Sequence, residues 1–135
     1  MFARLSKSFR FEAAHYLPTF PEGHKCRRMH GHSFRVEVIV EGSVDQDRGY
    51  LIDYGVIGEL CDPIRKRLDH YLLNEIDGLA NPTAENLALW VWERLSGALE
   101  QAGQQAGSRD AGRSPRLVEI IVHETCTSAC HYRGE

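Results

Sequence analysis

The stretch His30-Gly31-His32-Ser33-Phe34-Arg35-Val36-Glu37-Val38-Ile39-Val40-Glu41 decides the reading of this chain. From Ser33 to Glu41, Phe34, Val36, Val38 and Val40 alternate with Arg35, Glu37, Ile39 and Glu41. A period of two puts the first set on one face of a β-strand and the second, mostly polar set on the other. One face is therefore built for a core and the other for water. The same period carries into His30-Gly31-His32, where positions i and i+2 point to one side and the intervening glycine is small.

Working outward, Phe2 to His15 reads as a first strand, with Leu5, Phe9 and Phe11 among polar partners. Leu17 to Arg28 contains Pro18, Pro21 and Gly23 and reads as a loop. Gly42 to Gly49 suits a connection, and Asp53 is an N-cap for a helix running to about Leu68, with Ile57, Leu60, Ile64 and Leu68 at helical spacing. A second helix starts around Asn81-Pro82-Thr83 and runs to about Leu99, with Leu87, Ala88, Val91, Leu95 and Ala98 on one stripe. Ala102 to Ser114, rich in Gly, Gln and Ser, reads as a flexible loop within the domain. Leu117 to Glu124 and a short Ala129 to Arg133 complete the strands. The order β-β-α-α-β-β is that of an α+β fold with mostly antiparallel pairing. Two helices on one face of a four-stranded sheet leave the other face open, so oligomerisation is expected.

Residues 1–135 are the length of a single domain. With 42% hydrophobic and 26% charged residues, the composition is that of a globular protein and not of a disordered one. The formal net charge of −3 supplies no overall positive field, which argues against general nucleic-acid binding. No apolar run approaches the ~20 residues of a membrane span. Met1 to Phe11 lacks the apolar core of a signal peptide. The expected setting is cytoplasmic, with Cys26, Cys61, Cys126 and Cys130 reduced. No C-x2-C pair marks a structural zinc site.

The chemistry-bearing residues begin with His30 and His32. If strands one and two pair as a hairpin, His15 at the end of the first strand joins them. Three neutral imidazoles with one open position are the donor set of a catalytic Zn2+ site. Ordinary surface histidines are the other reading of the same spacing. Cys26 sits in the basic run His24-Lys25-Cys26-Arg27-Arg28, where positive charge favours a reactive thiolate. A fourth zinc ligand or an inert loop thiol fits the spacing as well. The four Lys and Arg residues between His24 and Arg35 suit an anionic substrate, or a solvated loop. Asp69-His70, where the first helix stops, is either a general acid/base pair or a helix end at which histidine meets the dipole. Glu124 ends the more apolar face of Val118, Ile120 and Val122. There it either receives the N–H donors of an amino-pyrimidinone or is solvated beyond the strand.

Together these blocks resemble the 6-pyruvoyl-tetrahydropterin synthase superfamily, and within it the bacterial 6-carboxy-tetrahydropterin synthases of 7-deazaguanine (queuosine) biosynthesis. The resemblance runs nearly end to end. It is carried by F-x-F-E-A-A-H at Phe9 to His15, P-E-G-H-K-C at Pro21 to Cys26, and H-G-H-S-F at His30 to Phe34. It continues with L-D-H at Leu68 to His70, N-P-T-x-E-N at Asn81 to Asn86, and E-T-C-T-x-x-C-x-Y-R-G-E at Glu124 to Glu135. The C-x3-H-G-H spacing and the C-T-x-x-C turn are similar to the carboxy branch. The pyruvoyl enzymes carry a longer spacing, and their triphosphate elimination is the alternative reaction.

The resemblance implies a tunnelling fold (T-fold), assembled as a homo-hexamer of two stacked trimers with active sites between subunits. It implies zinc on His15, His30 and His32, Cys26 as the proton-abstracting thiolate, Asp69 and His70 as the acid/base pair, and Glu124 as the pterin anchor. Thr83 would reach a neighbouring subunit's pterin, and Lys25, Arg27 or Arg28 would meet the triphosphate. The implied reaction is that of a carbon–carbon lyase. It converts 7,8-dihydroneopterin triphosphate to 6-carboxy-5,6,7,8-tetrahydropterin, acetaldehyde and triphosphate. Two features depart from the family pattern: the long polar stretch Gln101 to Ser114, and His131, to which no role attaches.

Overall fold

The structure, a computed structural model, describes residues 1–105 and 115–135. Four strands, β1 (Phe2–His15), β2 (His30–Ser43), β3 (Arg116–Thr125) and β4 (Ser128–Tyr132), form one sheet in the order β1-β2-β3-β4. Every neighbouring pair is antiparallel. Two helices, α1 (Tyr54–Leu68) and α2 (Ala84–Gln105), lie between β2 and β3 in the chain. The expected α+β order is the one observed.

β2 is longer than its alternating core because β1 pairs with all of it, from Phe2 opposite Ser43 to His15 opposite His30. Phe34, Val36, Val38 and Val40 are all buried, as the period of two requires. Fully burying side chains of this kind stabilises by about 1.5–3 kcal/mol each, the main force fixing this register. α1 opens on Asp53, whose Oδ1 accepts the Gly55 N–H at 2.7 Å. It buries Ile57, Cys61, Ile64 and Leu68. Pro63 sits inside α1 on its exposed side, so the backbone acceptor it leaves unpaired faces water. α2 opens on Thr83, whose Oγ1 accepts from Asn86 N–H while its carbonyl accepts from Leu87 N–H. Leu87, Ala88, Val91, Leu95 and Leu99 enter the core.

Three expectations need correcting. α2 continues past Leu99 to Gln105, because Gly103 is buried against Pro115, where a Cβ would stand 2.9 Å from the proline ring. Ala102 to Gln105 are thus helical, and the rest of the expected flexible loop lies outside the described residues. The loop before His30 contains a 3-10 turn, Lys25–Arg27. In β3 a bulge shifts the register between Ile39 and Val40 of its partner, so Leu117 and not Val118 joins Ile120 and Val122 in the core. The open sheet face is polar, as the Arg35, Glu37 and Glu41 set of β2 leads one to expect. His123 Nε2 lies 2.6 Å from Glu37, His131 Nδ1 lies 2.8 Å from Glu119, and Arg4 Nε lies 2.7 Å from Glu41.

Candidate metal centre and active site

The sheet register brings His15, His30 and His32 together. His15 is opposite His30 and Ala13 opposite His32, so all three imidazoles leave the core face at one end of β1 and β2. Beneath them lies Phe34, whose ring meets His15 and His32 edgewise at 5.5 and 5.6 Å between centroids and stacks on Phe11 at 5.0 Å. His15 is completely buried, the one buried polar side chain among the described residues.

Two of the rings are aimed by backbone carbonyls. His15 Nδ1–H donates to Pro82 O at 2.9 Å, and His30 Nδ1–H to Arg28 O at 2.6 Å. Each bond fixes the tautomer and turns Nε2 inward, the outer-shell arrangement that prepares a histidine for metal. The two Nε2 atoms then face each other at 3.0 Å. Two lone pairs so close require a cation between or on them. Glu124 adds an oxygen at 3.2 Å from His15 Nε2 and 3.4 Å from His32 Nε2. All four donor atoms lie within 4.8 Å of one another. Ligands about 2.0–2.1 Å from a tetrahedral ion stand about 3.3–3.4 Å apart, so nitrogen and oxygen donors at these spacings suit such an ion. Burial pulls the His32 pKa down, opposed by Glu124 and aided by His15 and His30, which favours its neutral ligand form. Contact with His15 holds the Glu124 carboxyl below its ordinary range despite burial.

Glu124 arrives at the cluster through a second bulge. His123 pairs with Ala129 and Thr125 with Ser128, which leaves Glu124 as the extra residue of β3. It borders a cavity of about 380 Å3 lined also by Leu17, Phe20, Thr83, Glu85 and Cys130. Glu124 and Thr83 are thus brought together, although the Thr83 hydroxyl already caps α2. Cys26 lies half-buried in the 3-10 turn and is not part of the four-donor group; the fourth donor there is Glu124. Lys25 is exposed beside it.

Asp69 and His70 lie elsewhere. Asp69 is the C-cap of α1, and His70 Nδ1–H donates to its Oδ1 at 3.0 Å. The same oxygen accepts the Glu12 N–H at 2.9 Å, while His70 N–H donates to Glu12 O at 2.6 Å. The Glu12 amide, then His70 and Arg65, hold the Asp69 carboxyl below its ordinary range. His70 has φ +63°, a left-handed conformation rare for a side-chain-bearing residue. It borders a second cavity, about 480 Å3, with Glu12, Ser33, Tyr71 and Leu72. His32 lines that hollow too, so it meets the four-donor cluster at a different residue than the Glu124 cavity does. Sequence reasoning missed two contributors, Pro82 and Glu12, because both act through backbone atoms that any residue type carries.

The 6-pyruvoyl tetrahydropterin synthase family profile matches residues 4–135. A 6-carboxy-5,6,7,8-tetrahydropterin synthase of Synechocystis is 42% identical over 93% of this chain and 89% of its own length. A dihydroneopterin monophosphate aldolase of Pyrococcus furiosus is 39% identical over 70% of this chain and 76% of its own. Among solved structures, the Caenorhabditis elegans 6-pyruvoyl tetrahydropterin synthase superposes with a TM-score of 0.79 at 20% identity, covering 100% of this chain and 97% of that one. No helix among the described residues is long and apolar enough to cross a membrane. A profile spanning almost the whole chain, a close relative matched nearly end to end and the shared T-fold lead to one conclusion: this chain belongs to the 6-pyruvoyl tetrahydropterin synthase family.

Proposed function

We propose that the protein is a zinc-dependent 6-carboxy-5,6,7,8-tetrahydropterin synthase. It would convert 7,8-dihydroneopterin triphosphate to 6-carboxytetrahydropterin, acetaldehyde and triphosphate in 7-deazaguanine (queuosine) biosynthesis. The observation that carries this reading is the four-donor cluster of His15, His30, His32 and Glu124, whose Glu124 borders a cavity lined also by Thr83. His15, His30 and His32 would hold the ion, and zinc, when bound, supplies Lewis-acid polarisation of the substrate's side-chain oxygens.

The remaining steps belong to the protein's own groups. Glu124 accepts the pterin's N–H donors, its charge-assisted bonds fixing the ring in the cavity. Cys26 takes a proton from the side-chain carbon as thiolate. His70, oriented by Asp69, moves a proton across the substrate. Lys25 and its neighbours Arg27 and Arg28 meet the triphosphate. Within one chain His70 shares its cavity with His32 while Glu124 borders another, and in this reading the acid/base pair would serve a site completed by another protomer. This supports a homo-hexamer of stacked trimers, as does the terminal position of β1 and β4 in the sheet, which leaves strand edges to pair.

The relatives carry different names, so the product decides. Incubation with dihydroneopterin triphosphate, followed by mass analysis and an acetaldehyde assay, is expected to show loss of the two-carbon fragment and one zinc per chain. A product that keeps its side chain, the outcome of pyruvoyl-type triphosphate elimination, would refute the carboxy reading. Cys26→Ala is expected to abolish turnover and leave zinc content unchanged.

A further inference from the structure

Cys26 sits at the centre of the turn Lys25–Arg27, and both peptide groups that flank it are fastened. Its N–H donates to His24 Nδ1 at 3.1 Å, and its carbonyl accepts the Leu17 N–H at 2.9 Å. The His24 ring in turn packs on Phe20, with centroids 4.4 Å apart and planes tilted by 34°. Leu17 and Phe20 are walls of the cavity that holds Glu124. Arg27 Nη1–H adds a bond to Phe20 O at 3.0 Å.

Helix and turn caps are ordinarily short Ser, Thr, Asp or Asn side chains. Here an imidazole fills the position, and its breadth lets one side chain reach both the Cys26 amide and the Phe20 ring. The chain is bent to permit this. His24 N–H bonds to Pro21 O at 3.0 Å, and Gly23 adopts φ +84°, open to glycine and strained for other residues. The sequence places the histidine, the glycine and the cysteine within four positions, but only the fold shows the ring turned back onto the amide.

We propose that His24 is a positioning residue for Cys26, holding the thiol-bearing turn against the Leu17–Phe20 wall of the substrate cavity. This rests on the reading of Cys26 as the proton-abstracting group. Its Nδ1 acts as the acceptor and its ring face as the spacer. The role is mechanical, and His24 itself touches no reacting atom.

The test compares His24→Ala, His24→Asn and Cys26→Ala in the intact protein. Two measurements are made: amide hydrogen exchange at Cys26, and steady-state turnover of dihydroneopterin triphosphate. His24→Ala removes the acceptor and is expected to speed Cys26 amide exchange about fivefold. It should lower kcat about tenfold while KM stays within twofold, as for a misplaced reacting group. His24→Asn offers a side-chain oxygen to the same N–H and is expected to restore most of the exchange protection and of kcat. Unchanged exchange and kcat in His24→Ala would overturn the proposal. So would equal loss in the Asn and Ala variants, which would make the effect one of packing on Phe20 alone. Full activity in Cys26→Ala would instead overturn the thiolate reading beneath it, and the exchange data would still decide whether His24 caps the turn.

Discussion

Replacing Glu124 by Gln separates two duties that the structure gives to one side chain. The substitution keeps shape and removes charge. Glu124 Oε1 lies 3.2 Å from His15 Nε2 and 3.4 Å from His32 Nε2, so the carboxylate is close enough to act as a fourth ligand. The side chain also keeps a quarter of its surface exposed and borders the cavity, where it would take two parallel N–H bonds from a pterin. An amide accepts only one such bond and sets its own NH2 against the second donor. Charge-assisted bonds contribute about 1.5–3 kcal/mol each. Losing one beside an opposed donor should therefore cost about 2–3 kcal/mol, or about a 30- to 160-fold fall in kcat/KM. Three imidazoles remain for the metal, so zinc content after dialysis should stay near the wild-type value. Steady-state kinetics and metal analysis on the same preparation provide the assay. If zinc is lost while kcat/KM per bound zinc is unchanged, Glu124 is a ligand and not the pterin anchor, and the cavity assignment falls with it.

Three further outcomes follow from the geometry. Phe34→Ala removes the floor under His15 and His32, and a buried Phe→Ala change costs about 3–5 kcal/mol; a urea midpoint equal to wild type would refute its place in the core. Burial, then the nearby Asp62 charge, push the Cys61 thiol from 9.0 to about 11. The thiol stays neutral in the folded chain while the unfolded one ionises, so stability should fall as pH rises from 9 to 11. By linkage the loss is on the order of 2–3 kcal/mol. Cys61→Ala should flatten that limb, and an unaltered pH profile of the urea midpoint would count against the assignment. Asp69 has the opposite sign: its lowered pKa contributes stability above the ordinary carboxylate value of about 3.9, lost as pH falls through the folded value. Asp69→Asn should therefore show a shallower loss of stability as pH falls below about 4, and parallel slopes would refute the coupling to Glu12.

Much of this fold could be read from side-chain periodicity, and the residues show where that ceased. β2 was legible because Phe34, Val36, Val38 and Val40 alternate without a break, and the start of α1 because Asp53 is a capping type ahead of a helical stripe. His15 was legible as a third donor because a hairpin of β1 with β2 leaves few alternatives for the strand ends. The bulges of β3 were not legible. Val118 and Leu117 are equally apolar, and only the packing against β2 selects one of them. Glu124 was found by its place at the end of an apolar face, yet its approach to His15 and His32 depends on an extra residue in the ladder that no pattern announces. The end of α2 was misread since Gly103 looks like a breaker until Pro115 is seen packed on it. Contacts made by backbone groups, such as Pro82 O on His15, leave no trace in residue type.

The left-handed backbone at His70 has a practical consequence. A glycine would occupy that φ without strain, and asparagine would do so more easily than histidine. Campaigns that select variants for heat resistance alone should therefore enrich Gly or Asn at position 70, and the enriched clones should unfold later and turn over less. Position 70 would then be where robustness and activity part company, and libraries built on this scaffold are best made with that codon held fixed.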